Sequence, residues 1–316
     1  MQEFVKEIKS LVLQAVKNCN YDCVALSGGL DSSILASCIT NKKIPAFALV
    51  AKDFVSSDLM YAQLVAKQNQ LDLRVISANI EDLLSAAEET IKILRVFNPI
   101  EIRNNVVVYL TMKTAKDSGC HSMMTGDGAD ELFAGYNFFK RLSGKELDDD
   151  LARIWKVMHY PSKSISKSIG IHLCTPFLDD VVSEYAKNIP SHLKVHEEKR
   201  VMYGKWILRK AFEDILPESI VWREKSAMQD GSGTSGLTTF LDNLIPDSVY
   251  DEKSKQYLAK DKVNLSSKES LYYYGIYRKH FDAPYNLLKS EIKCPCCSYA
   301  LSTDSHFCRM CGTYPI

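Results

Sequence analysis

Residues 22–38, DCVALSGGLDSSILASC, constrain any fold this chain can take. An apolar run closes on two adjacent glycines, and an aspartate and two serines follow before a second apolar stretch. The first run reads as a short buried strand, the second as a helix. Glycines at the junction let the backbone take positive φ and pass close to a neighbour. Asp31, Ser32 and Ser33 are the expected caps of that helix. Strand, glycine turn and helix start thus lie end to end.

The same alternation continues. Residues 2 to 18 carry apolar side chains at helical spacing, PAFALVA is a second strand and DLMYAQLVAKQNQ a second helix. LRVISAN is a third strand, residues 81 to 117 one long helical stretch, and HSMMTG a fourth strand. Strands alternating with helices predict an α/β fold, a parallel sheet with helices on both faces. From about 150 to 230 the pattern turns mostly helical, broken at Pro161, Pro176, Pro190 and Pro217. DDD at 148–150 reads as a solvated loop and GSGTSG at 231–236 as a flexible one, before a final helix in SKESLYYYGIYRKHF. The tyrosines there (Tyr272, Tyr273, Tyr274 and Tyr277) read as packing residues.

A glycine turn that opens a helix is an anion site, because the first helical N–H groups have no intrahelical partners and carry the positive end of the dipole. The serine hydroxyls add donors, so the expected ligand is a phosphate. Asp31 would repel a bare phosphate and is expected to act through a cation, most simply Mg²⁺. The two common phosphate-binding glycine patterns, G-x-x-x-x-G-K-[ST] and G-x-G-x-x-G, are both absent. S-G-G-x-D-S instead resembles the pyrophosphate loop of ATP pyrophosphatases. A second acidic stretch, TGDGADELFAGY at 125–136, follows the fourth strand. In a parallel sheet ligands collect at the carboxyl ends of the strands, which would let Asp127 and Asp130 face the Ser27–Ser33 loop.

SGGLDSS and TGDGADELFAGY, together with PFLD at 176–179 and KWILRKAF…LPESIVWREKSAMQDGSG at 205–233, resemble the synthetase domain of asparagine synthetases and of β-lactam synthetases. The resemblance spans about residues 10 to 285. It implies that Ser27, Gly28, Gly29, Asp31, Ser32 and Ser33 hold the pyrophosphate end of ATP and Mg²⁺. It also implies that Leu26, Leu49, Thr125 and Gly126 contact the adenosine, with Asp127 central to adenylation and Asp130 beside the metal. Arg103 matches an arginine at the active-site mouth, and Lys225 the lysine that neutralises departing pyrophosphate. The implied reaction adenylates a carboxylate, releases pyrophosphate, and passes the acyl group to an amine or ammonia.

Two departures from the family pattern bear on substrates. Such synthetases carry a glutamine-hydrolysing domain first, with a cysteine after the initiator Met; here Gln2 stands there. Nitrogen is therefore expected from ammonia, an amine or a separate glutaminase. The family's Asp-x-x-Arg pair falls by ungapped counting on Met158 and Pro161, and its arginine before the PFLD stretch on Cys174. Lys163 or Lys167 is the expected replacement, which puts aspartate in question as the substrate.

The tail adds a third departure. CPCCSYALSTDSHFCRMCG pairs Cys294 and Cys297 with Cys308 and Cys311, the spacing of a structural Zn²⁺ ribbon. This predicts a synthetase-like domain over 1–285 and a zinc ribbon over 290–316, where a protein partner could dock. His306 and Cys296 are not expected to be ligands. Cys19, Cys23, Cys38, Cys120 and Cys174 are expected as free thiols in a reducing, cytoplasmic setting.

The 316 residues are 46% apolar with zero net charge, and contain no long apolar run. A membrane span is not expected, and nothing favours a nucleic-acid partner. Two other readings fit parts of the sequence, an RNA-modifying ATP pyrophosphatase with a zinc ribbon and a non-catalytic nucleotide-binding subunit. The first lacks a motif like GDGADELFAGY, and the retained acids and Lys225 argue against the second.

Overall fold

Cys23–Ala25 (β1), Pro45–Ala51 (β2), Asp72–Ala78 (β3), Ser122–Met124 (β4) and His172–Cys174 (β5) form one sheet in the order β3-β2-β1-β4-β5. The computed structural model describes residues 1–41, 43–288, 290–303 and 305–316. β1 runs parallel to β2 and β4, and β4 runs parallel to β5, with Val24 opposite both Ala46 and Met124. The expected parallel sheet is borne out, with a fifth strand, HLC, too short for its periodicity to be read in the sequence. β1 is central and its Cys23 and Val24 are fully buried, as its continuous apolar character requires. Strand order reverses direction at β1, so the loops after β1 and β4 open side by side at the topological switch point.

The chain divides into two units. The first comprises Met1–Leu49, Ser57–Ile76 and Thr111–Ala227. Its core joins Val24, Ile34 and Leu35 to Phe133, Phe177, Ile207 and Phe212. Helix Gln2–Asn18 turns Ile8, Val12, Ala15 and Val16 inward and packs on Trp206–Phe212 and Asp180–Asn188. Each large aliphatic side chain buried this way contributes about 1.5–3 kcal/mol.

The second unit comprises Val50–Ser56, Ser77–Leu110 and Met228–Ile316. Helix Lys268–His280 packs there on Ile80–Leu94 and Gly236–Leu244. Tyr273, Tyr274 and Tyr277 are fully buried, and rings of Phe97, Tyr274 and Tyr277 lie in mutual contact, so these tyrosines do pack.

Four expectations are corrected. The helical stretch 81–117 is two helices, Ile80–Leu94 and Pro99–Asp117. Proline cannot continue a helix interior, and the first helix ends left-handed at Arg95. Residues 148–150 lie inside helix Gly144–Val157, whose Leu147 and Leu151 face inward while the aspartates do not. Residues 231–234 are buried rather than a flexible loop, because Gly236 accepts the Phe54 ring where a Cβ would come within 2.3 Å of it. Cys19 and Cys174 are disulfide-bonded, not free: the extended residue after helix Gln2–Asn18 brings one to the end of β5 where the other sits, Cα to Cα 6.1 Å.

Candidate active site

After β1, the Leu26 N–H still donates to Phe47 O at 2.8 Å, and the chain then leaves the sheet through Ser27, Gly28 and Gly29. Gly28 has φ +79°, and a Cβ there would stand 2.6 Å from Ala62 N and 2.7 Å from Asp58 O, backbone atoms that cannot step aside. Only glycine fits. Helix Leu30–Cys38 starts with Gly29 as its N-cap and no side-chain cap, so Asp31, Ser32 and Ser33 occupy its first turn instead of capping it. The loop holds its own shape. Gly29 N–H donates to Ser27 Oγ at 3.3 Å, and Ser32 Oγ donates to Gly29 O at 3.2 Å. Arg223 braces it from outside by pairing with Asp58, donating to Gly28 O at 3.3 Å and stacking 3.9 Å from the Tyr61 ring centroid.

The loop after β4 meets this one at Gly126, where a Cβ would lie 2.9 Å from Asp31 Cβ. Its short helix Ala129–Leu132 presents Asp130. Lys205 Nζ lies 2.5 Å from Asp31 Oδ2 and 2.7 Å from Asp130 Oδ1, and Lys225 pairs with Asp130 as well. Two carboxylates and two ammoniums thus share one cluster, with Lys205 buried at its centre and the other three partly exposed. Burial pushes the Asp31 carboxyl up despite Lys205. At Asp130 burial acts the same way, but Lys205 and Lys225 outweigh it and hold that carboxyl well below the ordinary range. Burial would lower Lys205, yet the two aspartates raise it. Because the cluster is already neutral, a polyphosphate would find little net positive charge unless it brought a divalent cation. Asp31 Oδ1 is buried with no partner, and a hard cation is a chemically suitable one, so Asp31 and Asp130 fit Mg²⁺.

Asp127 lies beside this cluster. Its Oδ2 accepts from Thr125 Oγ1 at 2.9 Å. Burial pushes its carboxyl up, while the Thr125 hydrogen bond and the charge of Lys163 pull it partly back. Tyr136 donates to Glu131 Oε1 at 2.5 Å, and its ring lies 4.8 Å from Lys225 Nζ. Leu26, Leu49 and Thr125 are buried around the same strand ends.

The structure therefore brings together Ser27, Gly28, Gly29, Asp31, Ser32, Gly126, Asp127, Asp130 and Lys225. Ser33 shares the helix turn, but it is fully buried with its hydroxyl unpartnered. Arg103 belongs to the second unit. There it is buried, with Nη1 2.5 Å from Glu269 Oε2 and Nε donating to Gln229 Oε1 at 2.9 Å.

Sequence reading missed Lys205, Arg223 and the Tyr136–Glu131 pair. Lys205 did leave a signal in flanking glycines. A Cβ on Gly135 would lie 2.0 Å from Asp130 Oδ1 and 2.2 Å from Lys205 Cε, and one on Gly204 2.3 Å from Ala134 O.

In the second unit the four tail cysteines converge as expected. All four Sγ lie within 4.8 Å of one another, with Cys294–Cys311 and Cys297–Cys308 each at 3.6 Å. Zn–S bonds of about 2.3 Å put tetrahedral sulfurs about 3.8 Å apart, so the quartet fits Zn²⁺. The two knuckles match. Cys294 and Cys308 accept the N–H of Ser298 and Gly312, and both those residues are left-handed. Helix Pro99–Asp117 anchors the ribbon through a two-pronged Arg309–Glu101 ion pair, and Phe97 N–H donates to Met310 O at 2.9 Å.

The family model described as "Asparagine synthase" matches residues 7–160 and 149–286, ending before the first ribbon cysteine. The chain is 30% identical over 294 residues to the probable glutamine-hydrolysing asparagine synthetase of Dictyostelium discoideum, covering 83% of this chain and 51% of that one. It is 30% identical over 278 residues to the glutamine-hydrolysing asparagine synthetase of Gallus gallus, covering 81% and 48%. Similarity to asparagine synthetase B of Escherichia coli K12 is 30% over 284 residues, covering 83% and 50%. The chain spans about half the length of these relatives.

Proposed function

The chain belongs to the asparagine synthase family, and on that premise we propose that it is an ATP-dependent, AMP-forming amide ligase, joining a small-molecule carboxylate to ammonia or an amine. The observation that carries this reading is the partly buried Asp31–Lys205–Asp130–Lys225 cluster beneath a glycine loop and a helix N-terminus.

The chemistry follows from the charges. The loop N–H groups and serine hydroxyls bind the phosphates of ATP. Asp31 and Asp130 would hold Mg²⁺, which when bound would supply charge neutralisation on the polyphosphate. A carboxylate oxygen attacks the α-phosphorus, the bond to the bridging oxygen breaks, and pyrophosphate leaves with its electron pair. Lys225, at the rim of the cluster, meets the charge that develops on the leaving group. Lys205, buried and held by both carboxylates, fixes their positions. The amine then attacks the acyl carbon, and expulsion of AMP leaves the amide. Asp127, raised by burial toward a useful basicity, accepts the amine proton.

Product analysis tests the reading. ATP with Mg²⁺, ammonia and a panel of carboxylic acids should yield AMP, pyrophosphate and amide in equal amounts; ADP and phosphate would exclude the mechanism. The cysteine quartet supports a structural Zn²⁺. Its exposed surroundings suit a protein partner better than a role in the chemistry.

A further inference from the structure

Lys225 stands in residues 223–227, which form neither helix nor strand, so its ammonium owes its place to what it touches. One contact is Asp130, but Asp130 Oδ1 also takes Lys205 at 2.7 Å, so that carboxylate is shared. Another is Tyr136, whose ring centroid lies 4.8 Å from Lys225 Nζ. The ring is itself held at several points. Its hydroxyl donates to Glu131 Oε1 at 2.5 Å, and the Trp155 indole N–H donates to Glu131 O at 3.0 Å. Phe138 stacks with it, 5.8 Å between centroids and 9° between planes. Gly135 N–H donates to Asp130 O at 2.8 Å, which closes the turn between Asp130 and the tyrosine.

We propose that Tyr136 is a positioning residue for Lys225, its ring face holding the ammonium where charge develops on departing pyrophosphate. The proposal rests on the ligase reading above. An aromatic face attracts a cation through its quadrupole while carrying no charge of its own. A second carboxylate would hold Lys225 more firmly, yet it would cancel the positive charge that the leaving group needs. The ring holds without cancelling, and it leaves ammonium hydrogens free for phosphate oxygens.

The kinetics of pyrophosphate release, with ammonia and the best carboxylate, test the assignment. Tyr136→Leu should lower kcat about tenfold, the size of a partly desolvated cation–π contact, with little change in the KM for ATP. Tyr136→Phe keeps the ring and should retain roughly a third or more of kcat. In a Lys225→Met background, Tyr136→Leu should cost less than about twofold, because the ring then has no ammonium to place. The same loss in both backgrounds would show that Tyr136 serves packing alone and overturn the proposal. Equal losses in the Leu and Phe variants would also overturn it, by assigning the effect to the hydroxyl. Dimethylation of the lysines with carbon-labelled formaldehyde gives an NMR readout that needs no turnover, the Lys225 signal being the one missing from Lys225→Met. The ring current should place that signal upfield of the solvated lysines, and Tyr136→Leu but not Tyr136→Phe should return it to them. A Lys225 signal among the solvated lysines in the unaltered protein would refute the contact, and this decides even where Tyr136→Leu does not fold. An unaltered protein that forms no AMP, yet shows the upfield signal, would refute the ligase reading and leave the ring's hold on Lys225 established.

Discussion

Lys205 Nζ lies 2.5 Å from Asp31 Oδ2, although 174 positions separate them in the chain. The ammonium joins the loop after β1 to the loop after β4, since Asp130 stands 2.7 Å away on its other side. Removing one member of a buried pair leaves the other charge without compensation. Lys205→Met should therefore cost about 3–5 kcal/mol of stability, read as a shift in the urea midpoint. Lys225, with a quarter of its side chain exposed, should behave differently. Lys225→Met should cost only about 1 kcal/mol of stability. Its turnover should nevertheless fall about 100-fold, as expected for the loss of one transition-state contact. Equal effects of the two substitutions on folding would show that the roles are not divided this way.

Asp127 gives a pH signature. Its carboxyl is raised by burial, so the base form is lost at a higher pH than for an ordinary carboxylate near about 3.9. Activity should fall as pH drops through that raised value. Thr125→Val removes a hydrogen bond to the anion, which raises the carboxyl further. The acid limb of kcat/KM should then move up by about half to one pH unit. A limb that stays put or moves down would show that another group carries the proton.

Most of this site was legible because its parts lie at glycines. Gly28 and Gly126 sit where backbone or side chains come too near for a Cβ, and they fall within stretches whose acids and serines could be read directly. Lys205 was not legible, because a lysine before an apolar helix reads as a solvated surface residue. Only the surroundings of Gly135 and Gly204 reveal it. β5 escaped because three residues, one of them an exposed histidine, show no period. The Cys19–Cys174 bond escaped because the two positions meet only once the sheet and helix Gln2–Asn18 are assembled. The zinc quartet, by contrast, is a local pattern, and spacing alone located it.

That quartet makes a measurable claim. Metal analysis of protein purified without chelator should find one Zn²⁺ per chain, and Cys308→Ser should lose it. Cys308 is fully buried and the ribbon has little core of its own, so metal supplies much of its folding energy. The loss should also free Met310 from Phe97, seen as faster amide exchange at Phe97. Stoichiometric zinc in the Cys308→Ser protein would refute the ligand set.

The disulfide predicts a thiol count. In denaturant with chelator but no reductant, eight of the ten cysteines should react with a thiol reagent, and all ten after reduction. Closing a loop of 155 residues restricts the unfolded chain by up to about 5 kcal/mol in the chain-entropy account. Reduction should lower the thermal midpoint, and Cys19→Ser should reproduce that shift with no further effect of reductant. Ten reactive thiols before reduction would show the pair to be open.

Lys163 sets the last expectation, which concerns the carboxylate substrate. By ungapped counting the family's Asp-x-x-Arg pair would fall on Met158 and Pro161, and Pro161 opens helix Pro161–Ile169. Lys163 lies in the first turn of that helix, its ammonium 5.4 Å from the Tyr160 ring centroid and near enough to Asp127 to lower its carboxyl. An ammonium is a point charge and cannot grip a carboxylate with two parallel hydrogen bonds as arginine does. Aspartate should therefore bind weakly, with a KM in the millimolar range, and carboxylates without a charged α-amino group should compete well. Lys163→Gln should raise KM for the preferred carboxylate about tenfold with little change in kcat, the pattern for a contact equally strong in ground and transition states. It should also shift the acid limb upward, because Asp127 loses a neighbouring positive charge. Saturation by micromolar aspartate, or a Lys163→Gln enzyme with unaltered KM, would place the substrate carboxylate elsewhere.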